Sequence, residues 1–398
     1  MNFRKSVLAC MAIALPTVLQ SQDSASAGEK RRSLDLTVGD VGLSIGDSRR
    51  VKGIRLNFRD TRLDRVDGLN ATIWHPEEGG AGDIYGIALG LPTTGGRTIK
   101  GLSLAVFGIA AEETISGIGI GGIGLGGGGE MRGIFLGGLG MGTGGDINGI
   151  AIGGAGAGAG GNVRGLLVGG LGAGIAGSLD GALIAGMGAG SAGSIRGLAI
   201  AGIGLASASD LSGIIISGIG AGAGGDAKGL FVAGIGAGVG GNFQGIGLTG
   251  VGMGIAGNAK GLMITGGGVG SGGDLTGVTL AGLGVGAAGS VKYLTIAGVG
   301  IGAPQVQGVA LAGIGLGGMR LQGLMMAGGM VRVERMGELH GVGASAYNYI
   351  KGNQRGLTIG IVNYARTLNG VQVGLINIAK SNPRGRRVLP IVNWGSSL

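Results

Sequence analysis

The sequence predicts an all-β repeat protein, a β-solenoid of about 14–18 residues per coil. Three observations predict it: the glycine content, a sixteen-residue period and the spacing of apolar residues within that period. Glycine supplies 103 of 398 residues, about one in four, against ordinary usage near 7%. Proline is only 6, hydrophobic residues make up 44% and charged residues 13%. That composition excludes a disordered, highly charged chain and a collagen. A helical array is excluded as well. Residues 229–244 hold Gly229, Gly234, Gly236, Gly238, Gly240 and Gly241, and at about 1 kcal/mol per glycine a helix there begins about 6 kcal/mol behind an alanine chain.

The chain opens on an export signal, residues 1–27. Asn2-Phe3-Arg4-Lys5 is a basic start, Ser6 to Val18 is apolar, and Ala25-Ser26-Ala27 before Gly28 is a cleavage pattern. Too little apolar sequence precedes Cys10 for a lipoprotein signal. Cys10 is the only cysteine, so the mature chain has no thiol for disulfides, nucleophilic catalysis or zinc. Removing the signal changes the formal net charge from +9 to +8, because Arg4, Lys5 and Asp23 leave with it. A basic exported chain leans toward anionic surfaces. Nucleic acid is a poor partner, since the cations are dispersed and only 3% of residues are aromatic. The expected location is the periplasm, outer membrane or cell surface.

Residues 28–100 read as polar capping coils. Arg49, Arg50, Lys52, Arg55, Arg59, Arg62 and Arg65 alternate there with Asp47, Asp60, Asp64 and Asp67. Residues 101–292 are twelve consecutive sixteen-residue units starting at Gly101, Gly117, Gly133, Gly149, Gly165, Gly181, Gly197, Gly213, Gly229, Gly245, Gly261 and Gly277. Residues 293–398 are degenerate units and a C-terminal cap. One such unit cannot bury its apolar side chains alone, so the array is one cooperative body.

Within the array the spacing sets an expected phase. Leu275, Val278, Leu280, Leu283, Val285, Ala288 and Val291 are separated by steps of 3 and 2. A strand keeps one face with steps of 2, so each step of 3 implies a corner. The expected coil is three-sided, with about five residues per side. In that phase the third residue of each unit points outward. The stripe Phe135, Leu167, Leu183, Ile215, Phe231 and Met263 then becomes a candidate interaction surface. The alternative is an up-and-down antiparallel β-barrel in the outer membrane, with a ten-residue strand and six-residue turn per unit. Arg132, Arg164, Arg196, Lys228, Lys260 and Lys292 recur every 32 residues, as they would if alternate turns lay at opposite barrel ends. In a solenoid the same alternation keeps cations about 10 Å apart, near a Debye length. Against the barrel stand the missing aromatic girdles.

Near the C-terminus, Gly356-Leu-Thr-Ile-Gly-Ile-Val-Asn363-Tyr-Ala365 and Gly370-Val-Gln-Val-Gly-Leu-Ile-Asn377-Ile-Ala379 are near copies, followed by Leu389-Pro-Ile-Val-Asn393-Trp394. This stretch resembles the Gly-x-Gln-Ile-Gly-Leu-Ile-Asn-x-Ala repeats of bacterial surface-repeat proteins, of the kind found in spirochaete and related Gram-negative families. The resemblance implies an exported or surface-exposed bacterial protein, and it brings no catalytic residues.

Motifs for chemistry are weak. Gly-x-Gly-x-x-Gly recurs by glycine density alone and has no βαβ context. Gly42-Leu43-Ser44-Ile45-Gly46 has nucleophile-elbow spacing but no following helix. Trp74-His75-Pro76-Glu77-Glu78 reads as an insertion loop, not a metal site. Asp146, Asp226 and Asp274 occupy a turn position shared with Asn162, Ser178, Asn242 and Ser290, which suits turn formation better than calcium. No cofactor, metal or small-molecule substrate is expected. The sequence points to an exported structural or surface-interaction repeat protein without catalysis, acting through self-association or contact with an outer-membrane or anionic surface.

Overall fold

The computed structural model describes residues 33–76 and 81–395. The signal at 1–27 and the pair Glu77 and Glu78 lie outside the described residues. The chain is 75% strand, without α-helix among the described residues, and winds as a β-solenoid of about 19 turns. At about 4.8 Å per coil the ladder runs roughly 90 Å.

Each coil of the array is a seven-residue strand, a tight turn, a four-residue strand and a second turn, as in Leu275–Ala281 and Gly284–Ala287. Each strand pairs in parallel with its counterparts one coil before and after. Ile264 stands opposite Leu280, Leu280 opposite Ile296, and Val269 opposite Val285. This sixteen-residue parallel register is the one the solenoid requires. It overturns the barrel alternative, which needs antiparallel pairing of successive units.

The first glycine of each unit bends the long strand. Gly277 has φ +129°, in the region that side chains avoid, and a Cβ there would collide with the carbonyl oxygen of Gly261. The bend and the two turns give each coil three changes of direction, built from two strands and not from three two-residue ones.

The expected phase is corrected. Counting that glycine as position 1, the repeated buried positions are 3, 5, 9, 11 and 15: Thr279, Ala281, Val285, Ala287 and Val291 in the unit beginning at Gly277, where the turn residue Ser290 at position 14 is buried as well. Leu280 and Val278 are only part-buried, and Leu283 is exposed. The glycine bend does not flip the alternation, and each turn takes an even step, so the inward positions that repeat from coil to coil are odd. Phe135, Leu167, Leu183, Ile215, Phe231 and Met263 are therefore core residues, none more than 1% exposed, and not an outward stripe.

The interior is packed by trading sizes between coils. A side chain at Gly119 would press on Leu125 and Phe135, and one at Gly247 on Met253 and Phe243. Phe231 and Phe243 meet edge to face at 5.7 Å. Several inward hydroxyls bond to corner carbonyls: Ser191 donates to Gly177 O (2.6 Å), Ser217 to Ile203 O (2.8 Å) and Ser271 to Gly257 O (2.7 Å).

Both ends of the parallel ladder finish in a reversed strand. Ser33–Val38 pairs antiparallel with Val41–Gly46, which pairs in parallel with Arg50–Arg59. Val388–Trp394, containing Pro390, runs antiparallel to the last part of Tyr347–Ala379. A reversed or proline-bearing edge strand discourages addition of another coil.

The first coils are held by a buried ionic cluster. Arg55 and Asp60 are fully buried and paired, and Arg55 also donates to Asp47 Oδ1 (3.1 Å), Asn70 Oδ1 (3.0 Å) and Ser48 O (3.0 Å). The last coils replace apolar stacking with an amide ladder. Asn348 Nδ2 donates to Asn363 Oδ1 (2.8 Å), and Asn363 Nδ2 to Asn377 Oδ1 (2.7 Å). Beside it Gln372 Nε2 donates to Gln354 Oε1 (3.1 Å). The repeated Asn and Gln of these units are thus interior residues.

Candidate interaction surface

Because inward positions are odd, the even positions define the outside, and they sort into three surfaces. The first is the outer face of the long strand, positions 2 and 4. From Gly133 to Lys292 it carries only Ile, Leu, Val and one Ala, for example Ile150 and Ile152, Ile214 and Ile216, Ile246 and Leu248. The adjoining corner, position 7, adds exposed Leu139, Leu171, Met187, Ile203, Ile219, Ile235, Val251 and Leu283, with Leu139 63% exposed.

The second surface is the outer face of the short strand, positions 8 and 10. Through the same stretch both positions are glycine, save Ala206. Conformation does not demand this at either position, and at position 10 neither does space, whereas at position 8 a Cβ on Gly236 or Gly268 would sit 3.2–3.3 Å from the next coil's carbonyl oxygen. None of these glycines has a positive φ. A Cβ at Gly174, Gly222, Gly238, Gly254, Gly270 or Gly286 would meet nothing within 4 Å. The result is a side of the solenoid that presents bare backbone.

The third surface is polar. Every charged residue between 133 and 292 falls at position 14 or 16. Position 14 forms a ladder along the axis. The backbone N–H of Asn162 donates to Asp146 Oδ1 (2.6 Å), that of Ser178 to Asn162 Oδ1 (2.9 Å), that of Asn242 to Asp226 Oδ1 (2.7 Å) and that of Ser290 to Asp274 Oδ1 (2.7 Å). The turn residues weighed for calcium are thus engaged by the next coil's backbone. The Ser290 backbone N–H, with Lys292, holds the Asp274 carboxyl below its ordinary range. Arg132 does the same to Glu130. Position 16 places Arg132, Arg164, Arg196, Lys228, Lys260 and Lys292 in one in-register row with Asn148, Asp180, Ser212, Gln244 and Thr276 between them. Arg196 reaches Asp180 at 3.4 Å and Lys292 reaches Asp274 at 3.2 Å.

The residues weighed for chemistry lie apart from these surfaces. Ser44 is fully buried in Val41–Gly46, where its hydroxyl contacts Asp35 (2.6 Å) and Ser48 (2.7 Å) beside the Arg55 cluster. His75 follows the strand Arg65–Trp74, and its backbone N–H donates to Thr93 Oγ1 (2.9 Å). Among the described residues, no three His, Cys, Asp or Glu side chains converge as a metal site.

Sequence reasoning named the wrong stripe and missed both the apolar and the bare surfaces. A signal for them was present. A period of sixteen is even, so parity is conserved along the array, and charges confined to positions 14 and 16 mark even positions as outward. No family model, curated protein or solved structure matches the chain.

Proposed function

We propose that this is an exported bacterial structural repeat protein that works by surface contact and not by catalysis. The observation that carries the reading is the distribution of side chains around the coil. Two of three surfaces lack charge from residue 133 to 292, one apolar and one bare. Exposed apolar patches on monomeric proteins rarely exceed several hundred Å². A strip two residues wide and ten coils long is about 600 Å² or more before its corner is counted, which marks a contact surface. The basic start, apolar run and Ala25-Ser26-Ala27 of the N-terminus support export, as does the resemblance of residues 356–394 to surface-repeat units.

Fractionation tests the location. The full chain, expressed in a Gram-negative host, should appear in a periplasmic, outer-membrane or surface fraction with Gly28 as its N-terminus. Intact Met1 protein accumulating in the cytoplasm would refute the export reading.

A further inference from the structure

We infer that the partner of these surfaces is a second copy of the same chain, with the apolar face of one solenoid seated on the glycine face of the next. This rests on the surface-contact reading above and names its partner.

Three observations favour a copy. The first is the glycine itself. In strands, glycine without a conformational or internal packing reason marks a place where another backbone comes close. Position 10 meets that description at Gly174, Gly222, Gly238, Gly254, Gly270 and Gly286, and position 8 at Gly188 and Gly204, where added side chains would enter open space. A lipid surface gives no reason to strip a face of its side chains, whereas a facing sheet does.

The second is shape. Positions 2 and 4 form two ridges parallel to the solenoid axis, about 7 Å apart. Ile134, Ile150, Leu166 and their successors make one ridge, and Leu136, Ile152, Val168 and theirs the other. Sheets that both carry side chains pack about 10 Å apart. Ridges on one side against bare backbone on the other fill a thinner gap without clash. Both partners also repeat at the same coil spacing, so a good fit at one coil is repeated at every other.

The third is area. Over the ten coils from 133 to 292, about 48 Å, a strip about 13 Å wide presents about 600 Å² per copy, and the apolar corner at position 7 brings it toward the roughly 800 Å² per partner of a standard interface. No charge is buried by the contact, since all those from 133 to 292 sit on the third surface.

Because the two contacting faces differ, the interface is heterologous. Each pair keeps one unused face of each kind, and association continues until a ring closes or a sheet of solenoids forms.

Sedimentation of the mature full chain tests this, with two sets of substitutions. One fills the bare face: Gly174→Gln, Gly238→Gln and Gly270→Gln. The other breaks the ridges: Ile150→Gln, Ile214→Gln and Ile246→Gln. Both sets sit outside the core, and circular dichroism melts within a few degrees of the parent establish that the fold is kept. The parent should be oligomeric at micromolar concentration and each set monomeric. Lys228→Gln with Lys260→Gln, on the polar surface, should stay oligomeric. Mixing the two monomeric sets should give a one-to-one dimer and nothing larger, because one intact face of each kind remains. A parent that stays monomeric at 100 micromolar overturns self-packing. If that monomer floats with anionic phospholipid vesicles, lipid is the partner and the contact reading stands; if it does not float, both fail. A folded glycine-face set that remains fully oligomeric, or a mixture that forms no dimer, also overturns the face-to-face arrangement.

Discussion

Thr279 and Leu280 are neighbours on one strand, and the same charge placed at each should have opposite consequences. Thr279 is 2% exposed and lies in register between Met263 and Thr295, none of which offers a cation. A carboxyl introduced there is desolvated, which raises its pKa by several units. Keeping it protonated at pH 7 against an unfolded value near 3.9 costs about 4 kcal/mol at 1.36 kcal/mol per unit. Leu280 lies in register between Ile264 and Ile296 but faces outward and is only part-buried. Leu280→Asp keeps its carboxylate in water and loses cross-strand apolar contact, about 1 kcal/mol. The assay is urea unfolding of both variants beside the parent and Thr279→Val, with hydrogen exchange over residues 261–297 to detect local opening, since repeat arrays need not unfold in one step. The folded-state pKa of the new acid is raised, so its penalty is full at neutral pH and fades as pH falls toward 4. Thr279→Asp should therefore approach the Thr279→Val control in acid. Greater damage from Leu280→Asp, or a Thr279→Asp penalty unchanged between pH 7 and pH 4, would refute the inward assignment of odd positions.

The remaining predictions probe other devices of the fold. The Asp274 carboxyl is held low by Ser290 and Lys292, so its contribution is present above pH 4 and lost as pH falls through its depressed folded value. Asp274→Asn keeps the acceptor, as Asn242 does for Asn258 at 2.9 Å. It should reduce the acid-induced drop in melting temperature, with a neutral-pH cost under about 1 kcal/mol. Arg55→Met strands the buried Asp60 carboxylate and should cost about 3–5 kcal/mol in denaturant unfolding, while adding Asp60→Asn should recover part of that loss. Gly261→Ala forces a Cβ onto the Gly245 carbonyl at φ +131°. It should destabilise by more than about 1 kcal/mol, whereas Gly270→Ala, in open space, should stay within about 0.5 kcal/mol of the parent.

Much of the architecture could be read before any coordinates. The sixteen-residue recurrence of glycine from Gly101 to Gly277 carries the coil length, and Ile264 and Leu280 stack as that period requires. The phase could not be read from hydrophobicity, because apolar residues occupy both sides of the long strand: Val278 and Leu280 outside, Leu275 and Val291 inside. A hydrophobicity pattern separates faces only when one of them is polar. Here the outer faces are themselves apolar or bare. Glycine misled for a related reason. Gly277 is required by its φ and the neighbouring carbonyl, while Gly286, nine residues on, is required by nothing inside the molecule, and composition treats the two alike. The Arg55 cluster and the amide ladder of Asn348, Asn363 and Asn377 depend on contacts between coils, which spacing alone does not assign.

The turn ladder at position 14 has a direction. In each case the acceptor, Asp146 Oδ1 or Asn242 Oδ1, belongs to the earlier coil and the donating backbone N–H, of Asn162 or Asn258, to the later one. A chain emerging amino end first from a ribosome or an export channel thus presents each acceptor before its donor appears. Strand partners are equally close in sequence, about 0.04 of the chain length apart, below the 0.07–0.12 relative contact order of fast-folding helical bundles. Every segment completes a platform for the one behind it, so structure can grow in step with delivery. An all-β protein, whose usual burden is waiting for distant strands, is here arranged to fold as its chain emerges.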